Sequence, residues 1–236
     1  MPSPPVDPST LRFAVLAVDV VVFALHEETL RVRLIPVDRP AVAGREGFPG
    51  GLVAPTETAE QAAARLLRDK AGIDPETVYL EQLHTFSAVD RDPRGRVVSV
   101  AYLGLTTIAE DVIDTDAADS DTLYSGSGAR WQPMDDLPAL AYDHDAMASV
   151  AGRRLRERLR ATNLIGRLLP ESFTLTILQD AFESLLGERL DRRNFRRRVQ
   201  ELGLVEPTGE ERREGRGRPA ALFRVAEADV RAIPLL

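Results

Sequence analysis

Cysteine is absent from the 236 residues, which excludes a disulfide framework, a thiolate zinc site and a thiol nucleophile. Any metal would have to be held by carboxylates, because His26, His84 and His144 are too scattered to suggest a ligand set or a triad. The absence of cysteine also agrees with a reducing cytoplasm. Long apolar runs are missing as well. The best one, residues 13–25, is interrupted by Asp19 and is shorter than the roughly 20 residues that span a bilayer, so it reads as a buried strand and no membrane partner is expected. Residues 1–10 hold prolines and serines without a basic segment leading into an apolar one; a flexible terminus is expected there, not a signal peptide. Lysine is nearly absent: of 30 basic residues only Lys70 is one. Together with the abundance of Ala, Val, Arg and Asp, this suggests GC-rich codons and a bacterial source.

The charge that is present is unevenly placed. The whole chain carries a formal −7, which by itself argues against nucleic acid. From residue 151 onward, however, 18 arginines stand against 13 acidic residues, a net of +5, which leaves −12 on the first 150. A basic module follows an acidic one.

The pattern of the first part is strand, strand, loop, helix, strand, strand. Residues 13–25 and 30–37 flank the polar turn His26-Glu27-Glu28-Thr29 as antiparallel strands, and residues 78–83 and 97–107 read as two more. Between them, Ala59, Ala62, Ala63, Leu66 and Leu67 recur at helical spacing over residues 58–71, with Gly72 as the terminating glycine. Residues 110–128 form an acidic loop, residues 131–140 re-enter the domain, and residues 145–160 make a connecting helix. Trp131 and Met134 are expected in a core or dimer contact, and His144 at the start of that helix. Thr174 then caps a helix with Leu175, Leu178, Phe182 and Leu185 inward and Gly187 at its end; Asp191 caps a second helix that runs to about Gly203. Short strands at 204–205 and 221–225 flank a charged loop over 210–219. Helix, turn, helix and hairpin describe a winged helix-turn-helix. The expected fold class is α+β: a mixed sheet flanked by helices over 11–144, a linker helix over 145–162 and a winged helix over 163–236.

Two motifs carry chemistry. The run Gly47-Phe48-Pro49-Gly50-Gly51, then Glu57, Arg65 and Gly72-Ile73, resembles the Nudix box G-x5-E-x7-R-E-U-x-E-E-x-G-U in spacing. In that family the helix carries glutamates that hold magnesium against a substrate pyrophosphate. Here the three glutamates that follow the arginine are replaced by Leu66, Asp69 and Lys70. Residues 66 and 70 share a helix face, so an alkyl group and an ammonium stand where carboxylates should converge. No metal and no catalytic residue is therefore assigned, and a retained pocket for a nucleotide is expected. Its candidates are Phe48, Gly50, Gly51, Glu57, Arg65 and Asp69. The turn 84–96 resembles that of ADP-ribose-directed Nudix proteins and adds Phe86, to stack on a base, and Arg91, Arg94 and Arg96, to pair with a pyrophosphate.

The second motif is the helix at 192–202. Phe195, Val199 and Leu202 face one side; Arg193, Arg196, Arg197 and Gln200 face the other, flanked by Arg192, Asn194 and Arg198. Such a helix fits a major groove, and the Arg216-Gly217-Arg218-Pro219 wing suits phosphates or a narrow minor groove. Thr174 joins these as a candidate DNA contact at the start of the preceding helix.

A degenerate Nudix box joined to this winged helix resembles the NrtR family, Nudix-related transcriptional regulators of NAD metabolism. The likeness spans roughly residues 13–225 and is most particular in Leu190-Asp191-Arg192-Arg193-Asn194-Phe195-Arg196-Arg197 and Gly215-Arg216-Gly217-Arg218-Pro219-Ala220. It implies a cytoplasmic homodimer that represses NAD synthesis or salvage genes on double-stranded operator DNA. It also implies ADP-ribose or a related NAD-derived nucleotide as effector, with no required cofactor. The rival reading is a residual Nudix hydrolase of ADP-ribose or another nucleoside diphosphate derivative, kept open by Glu57 and Asp69.

Overall fold

The structure, a computed structural model, describes residues 13–108, 123–124, 128–213, 219–227 and 229–235. The first ten residues, most of the acidic loop, and Arg216 and Arg218 of the wing lie outside the described residues.

The central strand β1 (Val15–His26) pairs in parallel with β6 (Val97–Leu105) along one edge. Its other edge is divided between two antiparallel partners, β4 (Gly50–Leu52) near its start and β2 (Thr29–Pro36) near its end. Outside these lie β5 (Tyr79–Phe86) on β6, β8 (Arg130–Pro133) and then β7 (Leu123–Tyr124) beyond β2, and β3 (Glu46–Gly47) on β2. The split on the second edge opens the sheet and seats the glycine pair Gly50-Gly51 beside Asp19.

Both faces of the sheet are covered, which is why β1 is an almost unbroken apolar run. Val18, Val20, Val22 and Ala24 point to α1 (Ala59–Leu66), packing on Ala62, Ala63 and Leu66. Val21 and Phe23 point the other way, toward α2 (His144–Ala161) with Met147, Ala151, Leu155 and Leu159. The two-residue period of a strand makes this division. Thr58 and Gln61 form a reciprocal capping box, the Thr58 hydroxyl accepting from the Gln61 N–H at 3.2 Å and the Gln61 side chain from the Thr58 N–H at 2.8 Å.

The helix expected over 58–71 is α-helical only to Leu66; it widens into a π-turn, residues 67–71, and ends at Gly72 with φ 66°. Arg33, buried in β2 and lying over the Trp131 ring, donates two hydrogen bonds to the Ala71 carbonyl at 3.0 and 2.7 Å. Burial pulls its guanidinium down to about 10.

The second face's core continues without a break into α3 (Leu175–Leu186) and α4 (Arg192–Glu201), where Phe182 and Phe195 meet edge to face. Thr174 and Asp191 cap these helices by accepting from the N–H groups of Ile177 and Asn194. A hairpin of β9 (Val205–Arg212) and β10 (Ala220–Val225) follows, with Phe173 bridging to Phe223 as a third rung. The first hairpin strand is much longer than the pair of residues expected at 204–205. Its outer half is charged, and antiparallel pairing is made by backbone groups that ask nothing apolar of exposed side chains. Among the described residues no helix is long and apolar enough to cross a membrane.

Candidate functional site

A cavity of about 620 Å³ opens where β4 departs from β1, between the Nudix helix and the turn after β5. Its floor is built by close approach. A Cβ on Gly50 would lie 1.8 Å from Asp19 Oδ1, and one on Gly47 would lie 2.7 Å from His144 Nδ1, so neither position admits a side chain without displacement. Asp19 is buried at 7% exposure and accepts from Ser99 Oγ at 2.6 Å. Burial pushes its carboxyl up, but His144, Ser99 and Arg91 together outweigh this and hold it below its ordinary range. His144 accepts from the Phe48 N–H through Nδ1 at 2.9 Å, and its Nε2 lies 3.5 Å from Asp19 Oδ1. Its ring stacks on Phe48 at a centroid distance of 5.4 Å.

Of the sequence candidates, Phe48, Gly50, Gly51, Arg65, Asp69, Arg91 and Arg94 border this cavity. Glu57, Phe86 and Arg96 are placed off its wall. Both Glu57 oxygens are taken by Arg65, at 3.0 and 2.6 Å, and the Ala54 N–H donates to one of them at 2.8 Å. The Arg65 bond foremost, with the Ala54 N–H, brings the Glu57 carboxyl down to about 2. Phe86 packs on His84 and the core, and Arg96 donates to the carbonyls of Ser87 and Ala88, closing its own turn.

The expected clamp of three arginines is therefore not a set of free donors. Arg91 is buried and engaged by Asp143, at 2.9 and 2.8 Å; Arg94 is engaged by Asp92 and lies over the Tyr142 ring. Sequence reading missed Arg39, Tyr142, His144 and Asp19, all of which line the cavity. Only Asp19 left a trace, as the lone charge in the apolar run that became β1.

Nor do the residues at the box fit a hard dication. Leu66 Cδ2 would lie 3.0 Å and Lys70 Nζ 3.6 Å from a Cβ on Gly51, so the two do converge, despite the π-turn, on the strand where carboxylates would be needed. Among the described residues, no group of three or more histidines, aspartates or glutamates is arranged to hold a metal.

The second candidate surface is α4. Phe195 and Val199 are buried, while Arg192, Arg193, Asn194, Arg197 and Gln200 are exposed. Arg196 is half-buried and donates to Thr176 Oγ1 at 2.9 Å. Two candidates have other work. Arg198 donates to the carbonyls of Pro234 and Leu235, pinning the end of the described chain, and the Thr174 hydroxyl is buried under its capping bond. The helical wheel placed Arg198 on the flank of the stripe but could not show the segment it meets.

The sequence matches the NUDIX domain model over residues 15–151 and the NrtR DNA-binding winged helix domain model over residues 165–225. It is 33% identical over 218 residues to the ADPR responsive transcriptional repressor NtrR of Acinetobacter baylyi, covering 91% of this chain and 83% of that protein. Over 126 residues, 53% of this chain and 68% of the other, it is 31% identical to the ADP-ribose pyrophosphatase of Methanocaldococcus jannaschii. The crystal structure of Shewanella oneidensis NrtR complexed with a 27mer DNA superposes with a TM-score of 0.74 at 35% identity, covering 89% of this chain and 93% of that one. With a Nudix sheet whose box has lost the three glutamates after its arginine, continued into a winged helix that bears an arginine face, this chain belongs to the NrtR family of Nudix-related transcriptional regulators.

Proposed function

We propose that this protein is a DNA-binding transcriptional repressor of NAD synthesis or salvage genes, whose Nudix domain senses ADP-ribose or a related NAD derivative. The observation that carries the reading is the exposed arginine face of α4 on a winged helix that shares its core with a nucleotide-sized cavity. Arg192, Arg193, Asn194, Arg197 and Gln200 supply donors for base edges and phosphates in a major groove. The wing, with Arg216 and Arg218, supplies phosphate or minor-groove contacts. In the cavity, Tyr142 offers an aromatic face, Phe48 backs the wall through its stack on His144, and Arg65 and Arg94 border the space for a pyrophosphate.

The protein acts in the cytoplasm as a homodimer, so that two recognition helices read a near-palindromic operator. Effector and operator are linked through α2, whose first residues touch the cavity and whose later turns pack toward α3. Binding to its own promoter region, measured at several salt concentrations with and without ADP-ribose and NAD, tests this. Sequence-preferring binding that weakens with salt and changes with one nucleotide is expected; binding no better than to random DNA would refute it.

The protein does not turn its effector over, because Leu66 and Lys70 replace carboxylates and Glu57 is closed into its pair with Arg65. The 31% identity to an ADP-ribose pyrophosphatase favours a second reading, residual hydrolysis. Magnesium-dependent turnover that disappears in Glu57→Gln would establish it, and no product above a heat-killed control would dismiss it.

A further inference from the structure

Lys70, the chain's single lysine, stands where the Nudix pattern places its last glutamate, and its Nζ donates to the Gly50 carbonyl at 2.6 Å. That carbonyl belongs to the strand beside Asp19 at the cavity floor. A dication near it would need a shell of oxygens at about 2.1 Å for magnesium, whereas the neighbouring position is the alkyl side chain of Leu66. An ammonium already sits against that carbonyl oxygen. It has three N–H donors and uses one on Gly50, so it faces the cavity with donors to spare.

Other cations stand around it. Arg39, Arg65 and Arg94 border the same cavity as Lys70. Burial first, then Arg39, Arg65 and Arg94, pull the ammonium below its ordinary range, with Asp19 acting the other way. An anionic ligand would relieve that strain among like charges. The carboxylates that face the space are Asp19, Asp38, Asp69 and Asp92. Asp19 is closed by Ser99, His144 and Arg91, Asp92 by Arg94, and Arg65 by Glu57, which leaves Asp38 and Asp69 facing Arg39 and Lys70.

We infer that Lys70 is a built-in substitute for the divalent cation: its ammonium, fixed on the Gly50 carbonyl, takes the diphosphate of the nucleotide effector directly, so that binding needs no metal. This rests on the reading of the cavity as a nucleotide sensor, and it assigns to Lys70 the task that metal-bound glutamates perform in the active pattern. A cation carried by the chain would make the sensor report nucleotide concentration alone, without dependence on magnesium.

The test is titration calorimetry of ADP-ribose into the full chain, once with excess EDTA and once with excess magnesium chloride. Equal affinity in both is expected for the wild type, with a loss of at least about tenfold in Lys70→Gln in both buffers. Arg68→Gln, exposed on the flank of the same turn, should bind as the wild type does, and thermal melting reports whether Lys70→Gln is folded. Wild-type binding only with magnesium would overturn the inference while leaving the sensor reading intact, as would unchanged affinity in Lys70→Gln. Absence of ADP-ribose binding by the wild type in either buffer would overturn both.

Discussion

The guanidinium of Arg91 grips the carboxylate of Asp143 with two N–H donors, Nε to Oδ2 at 2.9 Å and Nη2 to Oδ1 at 2.8 Å, tying the turn after β5 to the residue that precedes α2. One residue later, His144 is held by the Phe48 N–H. Two consecutive residues at the start of the connecting helix are thus fastened to the cavity wall. Removing Arg91 leaves the mostly buried carboxylates of Asp143, 20% exposed, and Asp19, 9% exposed, without their cation. Arg91→Ala is expected to cost about 3 kcal/mol in urea denaturation, the scale for breaking a buried pair. It should also shrink the change that ADP-ribose makes in operator affinity. A variant of normal stability and normal response would show the pair to be incidental.

Arg193 and Arg198 lie on the same helix but should fail differently. Arg193 is exposed on the basic face, so Arg193→Ala should weaken operator binding by about 1–3 kcal/mol if it reads a base edge, with an unchanged melting temperature. Arg198 holds the Pro234 and Leu235 carbonyls, so Arg198→Ala should lower the melting temperature by freeing the end of the chain. Gel-shift titration and calorimetric melting of the two variants side by side decide between these roles.

The Glu57–Arg65 pair has a pH signature. The Glu57 carboxyl is depressed to about 2, so the stabilisation it gives is present above its ordinary range, near 4.5, and disappears as pH falls through that window. Glu57→Gln removes the titrating group. Its stability should therefore fall less steeply than the wild type's between neutral pH and the bottom of that window; parallel declines in urea denaturation would contradict the assignment. The pair is partly open to solvent, so the difference is expected to be small.

Gly50 tests the floor of the cavity. A methyl group there would meet Asp19 Oδ1 at 1.8 Å and the Val18 carbonyl at 3.0 Å, and Asp19 is fastened by Ser99. Gly50→Ala should destabilise by about 1–3 kcal/mol, the scale of an overpacked site. Chemical denaturation that finds no loss would mean that Asp19 can turn aside freely.

Much of this molecule could be read along the chain. The apolar run of β1, the periodic apolar residues of α1 to α4, the capping residues Thr174 and Asp191 and the terminal glycines Gly72 and Gly187 all act over a few residues, and the elements follow them. The Nudix spacing from Gly51 to Ile73 likewise brought the side chains of Leu66 and Lys70 together against Gly51 of β4. The site was less legible. Arg94 and Arg96 look like free cations in sequence, yet one is matched by its neighbour Asp92 and the other by turn carbonyls.

By itself the sequence determined where the long strands and the helices of the Nudix part and the winged helix begin, though not the short strands β3, β4 and β7, that a Nudix box precedes a winged helix, and that the three glutamates after its arginine are gone. These depend on side-chain period, turn chemistry and residue identity, which are local. Only the tertiary structure decided which charges remain available to a ligand. Arg91 is claimed by Asp143, 52 residues away, Arg198 by Leu235, 37 away, and His144 by the Phe48 N–H, 96 away. Such pairings form when packing brings distant segments within hydrogen-bond reach, and a linear pattern carries no record of that distance.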